Sequence, residues 1–355
     1  VRTQALPAPG DQKTLLATCC ELNDPPLNRS RPLWEIWLLT GLVEDRVGLL
    51  IRLHHVIADG IAALALLAPL FDPVSGAQAA GTTTPGNPGD STRLGALTNK
   101  ITAAAANSRS AAAYLAMWLR QLALLTRQGR APMTSLNRPV GRHRQVVLHR
   151  ADLAAVKAVA HSHDGKVNDM VLAAVAGGTH RLLEGRGELT PDLVLKVSVA
   201  ASIRQPADAR VGGNRVGIRV VDIPVGEPDP VRRLERIVAE TTAQRGRPPY
   251  QPNGRFVQRW MVGMMFHQRL VNVLVSNVPG PPAQLYFAGA AVRELFQLGV
   301  VQGNLALAVG VLSYAGQLNF DIVVDADIIP DVTVFAEGLA DTLQQLGADP
   351  PQRRI

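Results

Sequence analysis

Residues 47–60, VGLLIRLHHVIADG, decide how the rest of the chain is read. Val47 to His55 is a β-rich run, and Ile61 to Phe71 (IAALALLAPLF) is so nearly all apolar that a buried helix is expected to follow a strand end directly. Side chains alternate along a strand, so Leu49, Ile51, Leu53 and His55 share one face while Arg52 and His54 share the other. The two histidines then face opposite ways. One imidazole can enter a dry interior while its neighbour supports the backbone. An imidazole that titrates near neutrality is suited to accept a hydroxyl proton, which makes His55 the candidate general base and His54 its supporting neighbour.

Upstream, Trp34 to Thr40 (WEIWLLT) is a second strand, separated from the first by the turn-like Gly41 to Arg46, so the two are expected to be neighbours. Downstream, residues 72–98 are rich in Gly, Pro, Ser and Thr and read as an exposed loop. Ile101 to Gln128 carries a long helical pattern that groups Leu115, Trp118, Leu119, Leu122 and Leu125. Further helices are expected over Ala151 to Ser162, Asn168 to Leu183, Pro230 to Gln244 and Asp331 to Leu346. Strands are expected at LVLKVSV, RVGIRVVDI, LVNVLVS and LALAVGVLSY. The result is an α/β or α+β chain with a large sheet. At 355 residues it exceeds the size of one hydrophobic core, so two domains are expected, residues 1–130 carrying the histidine pair and residues 131–355.

With 47% hydrophobic and 18% charged residues, the composition is that of a globular protein. A formal net charge of +7 favours anionic partners: nucleic acid, a phospholipid surface or a phosphate-rich cofactor. Arginines are scattered, aromatics are only 4%, and no nucleic-acid-binding signature occurs, so nucleic acid is not expected. Cys19 and Cys20 are adjacent, which excludes metal-ligand spacing, strains a mutual disulfide and fits a reducing cytoplasm. No metal site is expected at the histidine pair, because neighbouring strand side chains diverge and no His-x-x-x-His assists. No run reaches the roughly eighteen apolar residues of a spanning helix, so membrane contact would be peripheral. G-x-S-x-G, Walker A and G-x-G-x-x-G sequences are absent, which counts against serine hydrolases, nucleotide hydrolases and dinucleotide enzymes.

HHVIADG matches the HHxxxDG pattern of the coenzyme A-dependent acyltransferase superfamily, which includes chloramphenicol acetyltransferase and plant HxxxD acyltransferases. Three further segments resemble the bacterial wax ester synthase/diacylglycerol acyltransferase family in the same order: Pro32-Leu33-Trp34-Glu35, Asn168-Asp169 and Ser276-Asn277-Val278-Pro279-Gly280-Pro281. The resemblance continues through Gly213-Asn214-Arg215, Tyr286-Phe287-Ala288-Gly289, Ser313-Tyr314-Ala315-Gly316 and Pro330-Asp331. It covers the chain from about Leu27 onward. Family members carry more sequence before PLWE, so residues 1–130 are expected to lack some N-terminal family sequence.

The resemblance implies a chloramphenicol-acetyltransferase-like two-domain α/β sandwich with an active-site tunnel between the domains. It implies transfer of a long-chain acyl group from acyl-CoA, the co-substrate, to diacylglycerol or a long-chain alcohol, with no bound cofactor. His55 would be the base of a ternary complex without a covalent intermediate. Asp59 would be turned away from the base and paired with an arginine, expected to be Arg204, with Arg215 as the rival. Gly60 closes the motif. The implied setting is cytoplasmic, with peripheral contact at an anionic inner membrane or lipid-body surface.

Several residues keep two readings. Asn168 and Asp169 open a helix, where a short polar side chain can cap it. Asn168 or the adjacent amides could equally stabilise an oxyanion. Ser276, Asn277, Pro279 and Gly280 suit a rigid turn, or by resemblance the wall of an acyl-CoA channel. Trp34, after Pro32 and Leu33, is most simply a core aromatic that could shape an acyl pocket. Two functional alternatives stand beside the first: an impaired relative that only binds acyl-CoA or lipid, suggested by the short segment before PLWE, and an acyltransferase for a different hydroxyl acceptor.

Overall fold

Among the described residues, a three-stranded sheet is built from the beginning of the chain and a six-stranded one from residue 144 onward, with a two-stranded hairpin beside them. The structure is a computed structural model and describes residues 1–54, 57, 60–72, 129–202, 216–247 and 266–348. The expected loop beyond Asp72, the helical pattern of Ile101 to Gln128, His55, Asp59, Arg204 and Gly213-Asn214-Arg215 lie outside the described residues. By contacts the chain divides into two units, Val1–Ser75 with Ala131–Ile355, and Gly76–Arg130. Every element named below belongs to the first.

The small sheet has the order β1 (Arg2–Ala5), β2 (Trp34–Thr40) and β3 (Gly48–Leu53), with β1 parallel and β3 antiparallel to β2. WEIWLLT forms a strand over the expected residues and pairs with β3 as expected. A helix not expected from the sequence, Gln12–Asn23, covers this sheet; Asp11 caps it by accepting from the Thr14 N–H at 2.8 Å. Cys19 on the helix meets Leu6, Leu39 and Leu50, with Leu15, Leu22 and Trp37 around them.

The large sheet has six strands in the order β4 (Arg144–Asp152), β11 (Gln317–Asp325), β10 (Leu307–Tyr314), β7 (Val273–Pro279), β5 (Leu195–Ser202) and β6 (Val216–Ile223). Its centre, β10–β7–β5, is parallel, and its outer pairs are antiparallel. The helices Leu153–Ser162, Val167–Gly185, Pro230–Ala243 and Val332–Gln345 cover one face. There Val197, Val199, Val273, Val275, Val309, Val311, Phe320 and Ile322 meet Met170, Leu172, Leu234, Ile237, Phe335 and Leu339. Each such side chain contributes on the order of 2 kcal/mol by leaving water. The Val167–Gly185 helix is buried from Asp169 through Thr179, and a Cβ on its Gly178 would stand 2.7 Å from Phe335 O, so close helix approach requires the glycine.

By alternation, the opposite face of the large sheet carries Leu274, Ser276 and Val278 of β7, Ala308 and Gly310 of β10, and Asn319, Asp321 and Val323 of β11. Residues 292–301 lie across it as an extended strap. Leu298 of the strap packs both with Leu6, Leu39 and Leu50 of the small-sheet core and with Val146, Val301, Ala308 and Val323 on the large sheet.

The apolar run after Gly60 forms the helix Gly60–Leu67 and then a single 3-10 turn, Ala68–Leu70, because Pro69 has no N–H to continue the α-helical ladder. Only Ala62 of this helix is buried, and Leu66 is 54% exposed, so the expected fully buried helix is corrected to one that docks by its first turn.

Candidate active site

The β3 ladder runs one residue past its last strand position: His54 N–H donates to Leu33 O at 3.0 Å, which sets the PLW segment beside His54. The chain then turns, with Ile57 N–H donating to His54 O at 2.8 Å. The strand ends at Leu53 and a helix starts at Gly60. Arg52, on the same strand, is held by Glu35 Oε2 at 2.9 Å and by Asn23 Oδ1 at 3.2 Å, so the strand end is fixed from the small-sheet side.

Gly60 meets the SNVPG segment. A Cβ on it would stand 2.9 Å from Val278 Cγ2, a buried valine of β7, so only glycine lets the helix start this close to the large sheet. The other end of the helical segment is also tied down. Asp72 exchanges backbone hydrogen bonds of 2.8 Å with Tyr286, and the Phe71 and Phe287 rings pack with centroids 5.9 Å apart.

Tyr286 and Phe287 form β8, which pairs with β9 (Ala290–Ala291) through a two-residue turn; Ala288 and Gly289 both have positive φ, 49° and 82°, as a primed hairpin turn demands. Ala315 and Gly316 make the corresponding turn between β10 and β11. The buried Tyr314 hydroxyl donates to Val292 O at 2.7 Å and accepts from Leu285 N–H at 2.9 Å, stapling the small hairpin to the large sheet; burial pushes its phenol pKa up.

Ser276, Asn277 and Pro279 occupy the last half of β7, beyond Val275, the last residue of β7 paired with β5. Past that point, among the described residues, its ladder continues with β10. A Cβ on Gly280 would stand 2.3 Å from Ser313 O, and Gly280 N–H donates to Ser313 Oγ at 3.2 Å. This part of the motif is a rigid close approach of two strand ends.

The strap is fixed at four successive places. Glu294 takes two hydrogen bonds from Arg150, at 2.5 and 2.7 Å. Leu295 O accepts from Asn319 Nδ2 at 2.9 Å. Gln297 Nε2 donates to Ser276 O at 2.7 Å and to Val311 O at 3.1 Å. Gly299 N–H donates to Asp321 Oδ2 at 2.7 Å. Asp321 is fully buried, and burial pushes its carboxyl well above the ordinary carboxylate range.

Direct contacts thus join Leu33 to His54, and Gly60 to Val278 of the Ser276–Gly280 segment. Asp169 is committed elsewhere: it is buried, its Oδ2 accepts from Lys166 N–H at 2.8 Å and its Oδ1 from Thr241 Oγ1 at 2.8 Å. It closes the first turn of the Val167–Gly185 helix and ties that helix to Pro230–Ala243. Asn168, its half-buried neighbour, makes no side-chain hydrogen bond among the described residues. Trp34 is not a core aromatic; it is 43% exposed, because its end of β2 extends past β1, which pairs only from Trp37 onward. Pro32 is exposed and Leu33 half-buried. Among the described residues no three His, Cys, Asp or Glu side chains are grouped to hold a metal. Sequence reasoning missed Gln297 and Asp321, neither of which lies in a recognisable motif, and gave Tyr314 only as part of the Ser313–Gly316 resemblance.

Comparison with known proteins bears on the same segments. Residues 1–171 match the family model described as the wax ester synthase/diacylglycerol acyltransferase catalytic domain, and residues 212–347 match the WS/DGAT C-terminal domain. A Mycobacterium tuberculosis (strain CDC 1551 / Oshkosh) protein named as a diacylglycerol O-acyltransferase is 31% identical over 98% of this chain and 73% of its own length. A Mycobacterium bovis protein named likewise is 30% identical over 99% of this chain and 79% of its own. Among solved structures, the wax ester synthase/diacylglycerol acyltransferase from Marinobacter aquaeolei VT8 superposes with a TM-score of 0.69 at 21% identity, covering 97% of this chain and 79% of that one. The first condensation domain of the CDA synthetase superposes with a TM-score of 0.61 at 18% identity, over 98% and 75%. The expected mixed α/β, two-domain fold is the one these structures share.

Proposed function

The chain belongs to the wax ester synthase/diacylglycerol acyltransferase family, and on that premise we propose that it moves a long-chain acyl group from acyl-CoA to the hydroxyl of diacylglycerol or a long-chain alcohol. The products are triacylglycerol or a wax ester, and coenzyme A leaves as the thiol. The observations that support this reading are the seating of Gly60 on Val278 and the His54–Leu33 hydrogen bond, which join the two ends of HHVIADG to the SNVPG and PLWE segments.

In the proposed mechanism His55 accepts the proton of the acceptor hydroxyl as the oxygen attacks the thioester carbonyl. The C–O bond forms, the carbonyl pair moves to oxygen, and the tetrahedral intermediate collapses by breaking the C–S bond. The departing thiolate takes the proton back from His55. A thioester is already activated, so no covalent enzyme intermediate is required. His54 supports the turn, and Asp59 pairs with Arg204 away from the base. Asn168, with the N–H groups opening the Val167–Gly185 helix, supplies the oxyanion donor; the positive end of the helix dipole favours that charge. Pro32, Leu33, Trp34, Ser276, Asn277, Pro279 and Gly280 shape the substrate channel.

Among the described residues no helix is long and apolar enough to cross a membrane. The net charge of +7 and two fatty substrates favour peripheral docking of a cytoplasmic enzyme on an anionic membrane or lipid-droplet surface.

The test is turnover of labelled palmitoyl-CoA with diacylglycerol or hexadecanol by the parent and by His55→Ala. The variant is expected to lose about a hundredfold or more in kcat. Equal turnover in both proteins would remove His55 from the mechanism.

A further inference from the structure

We propose that Gln297 is a positioning residue for acyl transfer, setting from the large sheet the place of Gly60, the last residue of HHVIADG; this rests on the reading that His55 of that motif is the base. Both N–H groups of the Gln297 amide are spent, on Ser276 O of β7 and Val311 O of β10. These are neighbouring parallel strands, with Asn277 opposite Val311. Reversing the amide would set its oxygen against two carbonyl oxygens, so the orientation is fixed by the acceptors it meets.

Oε1 is then the atom left to face away from the two carbonyls, and it faces Gly60: a Cβ there would stand 3.9 Å from it. Gly60 is both the last residue of HHVIADG and the first of the helix that follows. The side chain is therefore bonded to the SNVPG strand and borders the end of the histidine motif, within 3.9 Å of where a Gly60 Cβ would stand.

A residue that positions another must itself be held, and Gln297 is. The strap is pinned on either side of it, by Asn319 to Leu295 O and by Gly299 N–H to Asp321, with Arg150 gripping Glu294 further back. Leu298 next to it packs into the small-sheet core that carries β3. The strap is thus a gauge between the two sheets. Proton transfer in a bound complex is sensitive to displacements near 1 Å, which can cost about a hundredfold in rate.

The experiment is a double-mutant cycle in the full chain, with labelled palmitoyl-CoA and diacylglycerol, comparing the parent, Gln297→Leu, His55→Ala and the double variant. Leucine keeps most of the volume and removes the amide. The proposal expects kcat to fall about tenfold or more in Gln297→Leu, with KM for palmitoyl-CoA within about twofold. It expects no further loss in the double variant relative to His55→Ala, measured at high enzyme concentration.

Parent-like kcat in Gln297→Leu would overturn it. So would an equal fold-loss with and without His55, which would mean that Gln297 acts independently of the base. Unfolding is monitored in parallel, and Gln297→Met is read in the same way if the leucine variant melts below the assay temperature. If both variants are unfolded, Gln297 belongs to the fold and the proposal fails. A fully active His55→Ala instead sinks the assignment of the base, whatever Gln297 does.

Discussion

The carboxyl group of Asp321 fills the space that Gly310 leaves empty: a Cβ on Gly310 would stand 2.3 Å from Oδ1 and 2.6 Å from Oδ2. The two residues face each other across β10 and β11, so the missing side chain is what allows an acid to lie against the sheet beneath the strap.

Asp321 should make stability fall as pH rises. In the unfolded chain its carboxyl ionises near 3.8, while burial holds the folded one well above that. Above 3.8 the unfolded state sheds a proton that the folded state keeps, and the folded state loses ground until its own carboxyl ionises. Asp321→Asn is expected to be more stable than the parent at neutral pH, with the advantage fading towards pH 4. Urea unfolding at several pH values checks this, and an advantage that does not grow with pH would mean that the native carboxyl ionises freely.

His149 has the opposite sign. Its ring packs against Phe320 with centroids 5.9 Å apart on the helix-covered face, and burial, with Arg150 adding to it, lowers its pKa from 6.5 to about 4. The unfolded imidazole takes a proton as pH falls through 6.5 while the folded one does not, so stability drops by about 3 kcal/mol on approaching pH 4. His149→Leu is expected to flatten that acid limb in unfolding curves taken between pH 7 and 4.5. An unchanged slope would assign the limb to other groups.

Asn168 and Asp169 can be separated by what each variant loses. Asp169→Ala removes acceptors from Lys166 N–H and Thr241 at a buried site and should cost about 2 kcal/mol or more in denaturant unfolding. Asn168→Ala should leave the unfolding midpoint nearly in place and lower kcat by roughly tenfold to a hundredfold. Normal kcat in a stable Asn168→Ala variant would leave only the helix-opening role.

Gly60→Ala should be rescued from across the interface. The new methyl would collide with Val278 Cγ2, and kcat/KM should fall about tenfold. Adding Val278→Ala removes the obstacle and should recover most of that loss. Strictly additive losses in the double variant would show that the alanine acts through the turn itself.

The sequence is most legible where one physical signal dominates. WEIWLLT is the strand Trp34–Thr40, and Asn168 to Leu183 falls inside the helix Val167–Gly185, because continuous apolar character or helical periodicity leaves no competing reading. β11, QLNFDIVVD, was missed for a definite reason: Gln317, Asn319 and Asp321 imply a wet face, yet the strap buries it, so local polarity points the wrong way. β4 was missed likewise, since Arg144, His149 and Arg150 interrupt a run whose charges are met only across the fold, by Asp325 and Glu294. Gly60 and the SNVPG segment were legible as motifs, but not their mutual contact. Gln297 had no local signal, because its meaning lies in two carbonyls on strands distant in sequence. His55, Asp59 and Arg204 lie outside the described residues.

The pairing of β4 with β11 also fixes when the protein can fold. Arg144 and Asp325, joined by a 3.2 Å ion pair, lie 181 residues apart. During synthesis the outermost strand must therefore wait beside an unfinished sheet until the 181 residues from Arg144 to Asp325 have followed it out of the ribosome. Contacts this remote are slow to form, and the interval leaves an apolar edge open to other nascent chains. Cells making this enzyme in quantity should accordingly recover more of it when translation is slow or holding chaperones are abundant.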